Sequence, residues 1–258
     1  MSPRTAREVV VHPDAEVLAQ ATAARLLVTL VDAQSHRAPL HVVLTGGTVG
    51  IRTLAAVAAS PVRDAVDWTQ VHVWWGDERF LPDGDADRNE TQARDALLTA
   101  LAGALPEENV HAVPALDTLV TTPEAAAEAY AAELARFAPE GGDVPAFDVL
   151  LLGMGPDGHV ASLFPGHPAL AAQGATTGVH GSPKPPPLRV SLTFDAIRAA
   201  REVWVVAAGA EKAPAVASAL GSAPLETTPA AGATGSARTL WLVDAAAAAD
   251  LPAGGTTA

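Results

Sequence analysis

Residues 147–152, F-D-V-L-L-L, form an apolar run with a single acid in it. A strand apolar on both faces needs a sheet covered on both sides, which is the signature of a parallel sheet flanked by helices. Three glycines and a proline follow in G-M-G-P-D-G-H, ending the strand and letting the backbone turn sharply. The turn delivers Asp157 and His159 just past the strand's carboxyl end, the edge at which open α/β sheets bind ligands. An imidazole in such a place titrates near neutral pH and can take a proton from water. By residue type alone, a histidine after a strand is more often a hydrogen-bonded loop residue than a base.

Gly153, Gly155 and Gly158 also spell the dinucleotide fingerprint G-x-G-x-x-G. That fingerprint needs a helix opening from the glycines and an acid about twenty residues on. Pro165 and Pro168 interrupt any such helix, and the segment 174–181 holds no acid, so dinucleotide binding is rejected.

The alternation continues along the chain. Residues 8–11 read as a short strand and 14–31 as an amphipathic helix with Asp14 as its N-cap and Val17, Leu18, Ala21, Ala24, Leu27 and Val28 at helical spacing. Residues 40–44 form a second strand, closed by Thr45-Gly46-Gly47-Thr48, with a helix behind it that stops before Pro61. A glycine pair between strand and helix points backbone N–H groups at an anion, though an ordinary tight turn has the same pattern. No Gly-Lys-Ser/Thr follows, so this is not a Walker motif. A third strand, 71–75, leads to Gly76-Asp77-Glu78-Arg79, which reads either as a strand-end site or as a solvated loop. Asp83, Asp85 and Asp87 imitate a calcium loop, but Arg88 and Arg94 stand where glycine and the bidentate glutamate belong.

Further helices are expected over 90–101, 123–137 and 211–220, with a short one from Asp195, and further strands over 189–193, 203–208 and 240–243. The Gly-, Thr- and Pro-rich stretch 171–187 has no periodicity and reads as a surface loop. Lys212 falls in the first turn of a helix, where the macrodipole disfavours a cation unless an anion binds there. One domain over 1–253 with a disordered tail, 254–258, accounts for this order.

Aromatics make up only 4% of the chain against 49% apolar residues, so the core is mostly Ala, Val and Leu. A formal charge of −13 argues against nonspecific nucleic-acid binding, but leaves room for a local basic pocket. The absence of cysteine excludes disulfides, thiolate nucleophiles and Cys-based metal sites. His12, Asp14 and Glu16 stand where a signal peptide would be apolar, and no uncharged apolar run approaches the ~18 residues of a membrane span. A cytoplasmic protein with no membrane partner is expected.

Five segments in order, from Thr45-Gly-Gly-Thr48 through Gly76-Asp-Glu-Arg79 with Asn89, the stretch 152–166, Arg189-Val-Ser-Leu-Thr193 and Lys212, together resemble the 6-phosphogluconolactonase family. The resemblance spans roughly 9–243 and is most specific in L-G-M-G-P-D-G-H-V-A-S-L-F-P-G. It implies a three-layer α/β/α fold with a mostly parallel, Rossmann-like sheet. It also implies hydrolysis of 6-phospho-D-glucono-1,5-lactone in the oxidative pentose phosphate pathway, with no cofactor and no obligatory metal. His159 then corresponds to the general base, Asp77 to an orienting or electrostatic acid, and Arg79 to a group that holds substrate or oxyanion. Gly46, Gly47, Thr48, Arg189 and Lys212 correspond to the 6-phosphate site, and Asp157 is counted with the substrate-binding residues. A monomer is favoured.

The chain departs from the family's usual Ser-Gly-Gly-Ser-Thr-Pro at Val49-Gly50, and Arg88 replaces a serine before Asn89. Deaminases of the same larger group carry a glutamate shortly after the histidine, where this chain has Phe164. A serine hydrolase built on Ser162 lacks a G-x-S-x-G elbow, and a metallohydrolase built on His159 and His167 lacks a paired-ligand motif. A sugar-phosphate sensor would need neither His159 nor Asp77.

Overall fold

A computed structural model describes residues 7–221 and 223–252; the tail expected over 254–258 lies outside them. The elements run in chain order as β1 (Arg7–His12), α1 (Ala15–Gln34), β2 (Leu40–Leu44), α2 (Gly47–Ala59), β3 (Val71–Trp75), β4 (Asp77–Arg79), α3 (Asn89–Ala96) and α4 (Pro123–Ala135). They continue as β5 (Val149–Gly153), β6 (Thr176–Val179), β7 (Arg189–Leu192), α5 (Phe194–Ala199), β8 (Glu202–Ala207), α6 (Ala213–Leu220) and β9 (Arg238–Asp244). Six strands make one parallel sheet in the order β1-β9-β8-β5-β2-β3, with helices on both faces. The three-layer, mostly parallel α/β fold expected from the sequence is the one observed.

The sheet's core is built from the apolar runs. Val42, Val43, Leu150, Leu151, Val203, Trp204, Leu240 and Trp241 are all buried to 2% exposure or less. At ~25 cal/mol per Å², burial on this scale is the main force holding the layers together. Asp14 caps α1 as expected, accepting from the backbone N–H of Glu16 and Val17. The buried stripe of α1 is Leu18, Thr22, Leu26, Leu27 and Leu30, so Val17 and Val28 lie exposed rather than in the stripe the spacing suggested. Near-continuous Ala, Val and Leu gives a weak moment in this helix, and tertiary packing chooses the face.

β2 and β5 are neighbours, yet the chain leaves β2 toward β3 and later leaves β5 toward β8. That reversal of direction opens a crevice beyond their carboxyl ends, the usual ligand position in such sheets. Over this crevice sits a second, antiparallel sheet, β4-β7-β6. Two sequence expectations change here. Asp77-Glu78-Arg79 is a strand paired with β7, not a solvated loop. The stretch 171–187 contains β6, whose Thr176 and Thr177 pair with Leu192 and Ser191. Pairing with β7 supplies the order that a Gly- and Thr-rich sequence does not signal by itself. The helix expected over 90–101 is shorter, with α3 ending at Ala96 and a 3₁₀ turn over Leu98–Leu101.

Candidate active site

The turn after β5 is shaped around His159. A Cβ on Gly155 would overlap the His159 ring and the Asp157 carboxylate, so only glycine lets the imidazole fold back onto the turn. Gly158 is left-handed, with φ 82, and its carbonyl accepts from Ala230 N–H at 2.8 Å. The His159 ring packs 4.5 Å from Phe164 and hydrogen-bonds through Nδ1 to Asp157 Oδ1. Burial alone raises the Asp157 carboxyl, but the hydrogen bond from His159 and its charge outweigh that and hold it at about 2. In the neutral form of the ring, a carboxylate on Nδ1 keeps the proton there and leaves Nε2 as the bare nitrogen. One oxygen of Asp157 is therefore committed to the histidine.

The second wall comes from β4. Asp77 Oδ2 accepts from Ser162 Oγ at 2.7 Å and lies 4.0 Å from Arg189 Nη1, while Asn89 Nδ2 donates to its backbone carbonyl. No hydrogen bond or ion pair joins Asp77 to His159 among the described residues. Ser162 is fully buried and its hydroxyl is given to Asp77, which removes it as a nucleophile. Glu78 points away from the cleft and caps α3, accepting from Arg79, Asn89 and Glu90 N–H. Its carboxyl is pushed up to about 7 by burial, against the pull of Arg88 and those three donors. Arg88, the departure beside Asn89, is buried and donates to the carbonyls of Leu81 and Val113.

The third wall is the start of α2. Gly46 is its N-cap and offers no side chain, so the first-turn N–H groups are left for a ligand. A Cβ on Gly46 would fall on Asn89, and one on Gly50 would lie 2.7 Å from the Thr45 carbonyl. The helix therefore starts tightly against the turn without the family's proline. Thr45 Oγ1 accepts from Gly153 N–H at 3.0 Å, tying the β2 turn to the end of β5.

Together these walls enclose a cleft of about 500 Å³. It brings together Gly46, Gly47, Thr48, Asp77, Arg79, His159, Arg189 and Lys212, and Asp157 stands behind His159. Sequence reasoning missed Arg52, Lys184, Glu211 and Asp244, which also line it. Asp244 ends a strand and accepts from Gly209 N–H, a strand-end acid of the kind that could have been flagged. Lys184 was hidden in the stretch read as a plain loop. Five Arg and Lys side chains face three Asp and Glu in the lining, so an acidic chain carries a basic cleft. Arg79 Nη1 donates to Asp87 O, and its Nε is buried without a partner. Lys212, whose ammonium is held below its usual value by burial and then by Lys184, ends a 3₁₀ turn and stands at the N-cap of α6. Among the described residues no group of three His, Asp or Glu side chains is arranged to hold a metal ion.

Residues 13–241 match the family described as glucosamine-6-phosphate isomerases/6-phosphogluconolactonase. A 6-phosphogluconolactonase of Streptomyces coelicolor is 58% identical over 249 residues, covering 95% of each chain. One from Mycobacterium tuberculosis is 45% identical over 94% of this chain and 97% of its own. The solved 6-phosphogluconolactonase of Trypanosoma brucei superposes with a TM-score of 0.81 at 30% identity, over 96% of this chain and 100% of that one. A monomeric glucosamine-6-phosphate deaminase, with TM-score 0.75 and 17% identity, shares the fold.

Proposed function

The chain belongs to the glucosamine-6-phosphate isomerase/6-phosphogluconolactonase family, and on that premise we propose that it hydrolyses 6-phospho-D-glucono-1,5-lactone to 6-phospho-D-gluconate, with His159 activating the water. The observation that carries the reading is the His159–Asp157 pair set in the wall of a basic cleft. Bare Nε2 takes a proton from water as the oxygen attacks the lactone carbonyl. Asp157 holds the ring in that tautomer and balances the imidazolium that forms. The imidazolium then gives its proton to the ring oxygen as the C1–O bond breaks. A lactone is already electrophilic, so a base and well-aimed donors are sufficient and no covalent intermediate is needed.

The developing oxyanion falls to Arg79. Gly155 N–H is spent on the His159 carbonyl and Gly158 N–H on that of Gly155, and Pro156 has none. Arg79 lines the cleft and, among the described residues, commits only Nη1 of its guanidinium, to Asp87 O. Asp77 keeps the β4 wall in register through Ser162 and sets the local field. The 6-phosphate is held at the far end by the first-turn N–H groups at Gly46, Gly47 and Thr48 and by Lys212, with the charge of Arg189 behind them. Anchoring that end fixes C1 beside His159, which converts attack into a nearly unimolecular step.

The deaminase reading is weaker because Phe164, buried against the His159 ring, replaces the glutamate that would relay a proton. All the proposed groups come from one chain, so we take the monomer as the working unit. No described helix is long and apolar enough to cross a membrane. We place the enzyme in the cytoplasm, where sugar phosphates are made and consumed.

The test is hydrolysis of lactone generated in situ, corrected for spontaneous opening, in wild type and His159→Ala. A drop in kcat of roughly 10²–10⁴-fold is expected for loss of a positioned base. Equal rates would remove His159 from the mechanism, and a wild type no faster than background would sink the lactonase reading.

A further inference from the structure

The segment that crosses the cleft between β6 and β7 is S-P-K-P-P-P, residues 182–187. Four prolines in six residues fix most of its φ angles and leave few backbone donors, so its carbonyls must find partners elsewhere. One buried guanidinium supplies them. Arg189 donates from Nε to Pro186 O at 3.0 Å, and from Nη2 to Lys184 O at 3.1 Å and Pro185 O at 3.0 Å. Ser182 closes the strap from the other side. Its N–H donates to Pro187 O at 3.1 Å and its hydroxyl to Lys184 O at 2.9 Å, while accepting from Lys184 N–H. The segment is a stiff span with one long side chain facing the cleft, that of Lys184.

The Lys184 ammonium has no hydrogen bond or ion pair among the described residues, whereas the residue's backbone is held at three points. Its charge reaches both Lys212 and Asp157, so it stands between the phosphate end and the His159 pair. Holding two ammonium groups together in a partly buried cleft is unfavourable unless an anion lies between them. Arg189, by contrast, has little left to give. Two of its three nitrogens are used on the strap, and the third faces Asp77.

We infer that Lys184 is a second phosphate-binding lysine, paired with Lys212 across the phosphoryl dianion, and that Arg189 is a positioning residue that holds the Lys184 strap over the cleft. This deepens the lactonase reading and rests on it for the identity of the phosphate ester.

The experiment measures binding of 6-phospho-D-gluconate, the stable product, by calorimetry, alongside lactone kinetics. Proteins compared are wild type, Lys184→Ala, Lys184→Arg, Arg189→Lys and the double variant Lys184→Ala/Arg189→Lys. Loss of a charge-assisted phosphate contact in Lys184→Ala should weaken binding and raise KM roughly 10–50-fold with little change in kcat. Lys184→Arg should recover most of the loss. Lys184 is exposed, so these variants fold if the wild type does. Arg189→Lys keeps the charge but not the fork, and should weaken binding about as much as Lys184→Ala, with no further loss in the double variant. Unchanged binding in Lys184→Ala overturns the phosphate assignment, and multiplying losses in the double variant overturn the positioning role of Arg189. Activity fails independently of this. If the wild type binds the product through Lys184 but opens no lactone, the function falls and the phosphate assignment stands.

Discussion

Toward the amino end of the six-stranded sheet, His41, His72, His111 and Trp74 form a stack with Phe137 packed edge-on or tilted against it; at the carboxyl end, His159 rests on Asp157 in the wall of a basic cleft. The ring is the same, and its partners differ. In the stack, Glu133 accepts from His111 Nδ1, so neutral His111 has a bare Nε2, and this accepts from His72 Nδ1 at 2.8 Å. Trp74 donates its indole N–H to His41 Nδ1 at 3.1 Å. These contacts commit both nitrogens of His111 and one each of His41 and His72 to interior bonds, and burial holds all three imidazoles below their ordinary value. At the cleft one nitrogen is committed and the other is free for substrate. A ring closed inside the aromatic stack, as His111 is with both nitrogens bonded, serves stability, and a ring with one nitrogen bonded beside an open cleft is equipped for chemistry.

The sharpest way to break this contrast is the same substitution at both ends. His111→Ala removes a ring stacked 3.9 Å from Trp74 and leaves a cavity among aromatics. It should cost about 3 kcal/mol of unfolding free energy, measured by denaturant titration, with kcat of the surviving folded protein unchanged. His159→Ala should do the reverse, with its large loss in rate and little loss in stability. If His111→Ala lowered kcat as His159→Ala does, the two ends would not be separable in this way.

A smaller effect follows from pH. The stacked histidines have folded values below 6.5, about 4 for His41, so the unfolded chain takes up their protons first as the pH falls. Their stabilising contribution is complete above about 6.5 and is lost as pH falls through their folded values, about 4 in the case of His41. Glu78 has the opposite sign. Its folded value of about 7 exceeds 4.5, so its contribution is complete below 4.5 and is lost as pH rises through 7. Comparing wild type with His41→Gln isolates one member of the stack, because Glu78 is common to both. Glutamine can still accept from the Trp74 indole, and the loss of stability between pH 6.5 and 4 should become shallower by about 1–2 kcal/mol. Parallel pH curves would show that His41 does not titrate in this window.

The carboxyl end was far more legible in the sequence than the amino end. Glycines that must be glycine, as at Gly46 and Gly155, leave a local mark because the backbone itself demands them. His159 and Lys212 follow such marks, at Gly155 and at left-handed Gly209, while Asp77 and Arg79 are marked by charge directly after a buried strand. His41, His72 and His111 come from β2, β3 and the segment beyond α3, and only the register His41↔His72 and the bridge Val73↔Val110 bring them together. Nothing local announces that. Lys184 was lost for a related reason: β6 is an antiparallel strand made by its partner β7, and a proline strap reads as a plain loop until Arg189 is seen beneath it. The face of α1 was misjudged because Ala, Val and Leu occur around much of that helix.

The smallest expected effect comes from removing a charge while keeping the hydrogen bond, again at both ends. Asp157→Asn retains an oxygen that can accept from His159 Nδ1–H, so the ring keeps its orientation, but nothing then balances the imidazolium formed during attack. kcat should fall about tenfold, equivalent to about 1.4 kcal/mol, with KM nearly unchanged because the phosphate end is untouched. Glu133→Gln makes the same exchange against His111 and should leave kcat alone, because that imidazole stays neutral throughout. The two variants together separate charge from orientation. If Asp157→Asn matched wild type, Asp157 would act on His159 only by holding it, and the balancing charge would have to come from Asp77 across the cleft, a role that Asp77→Asn would then expose.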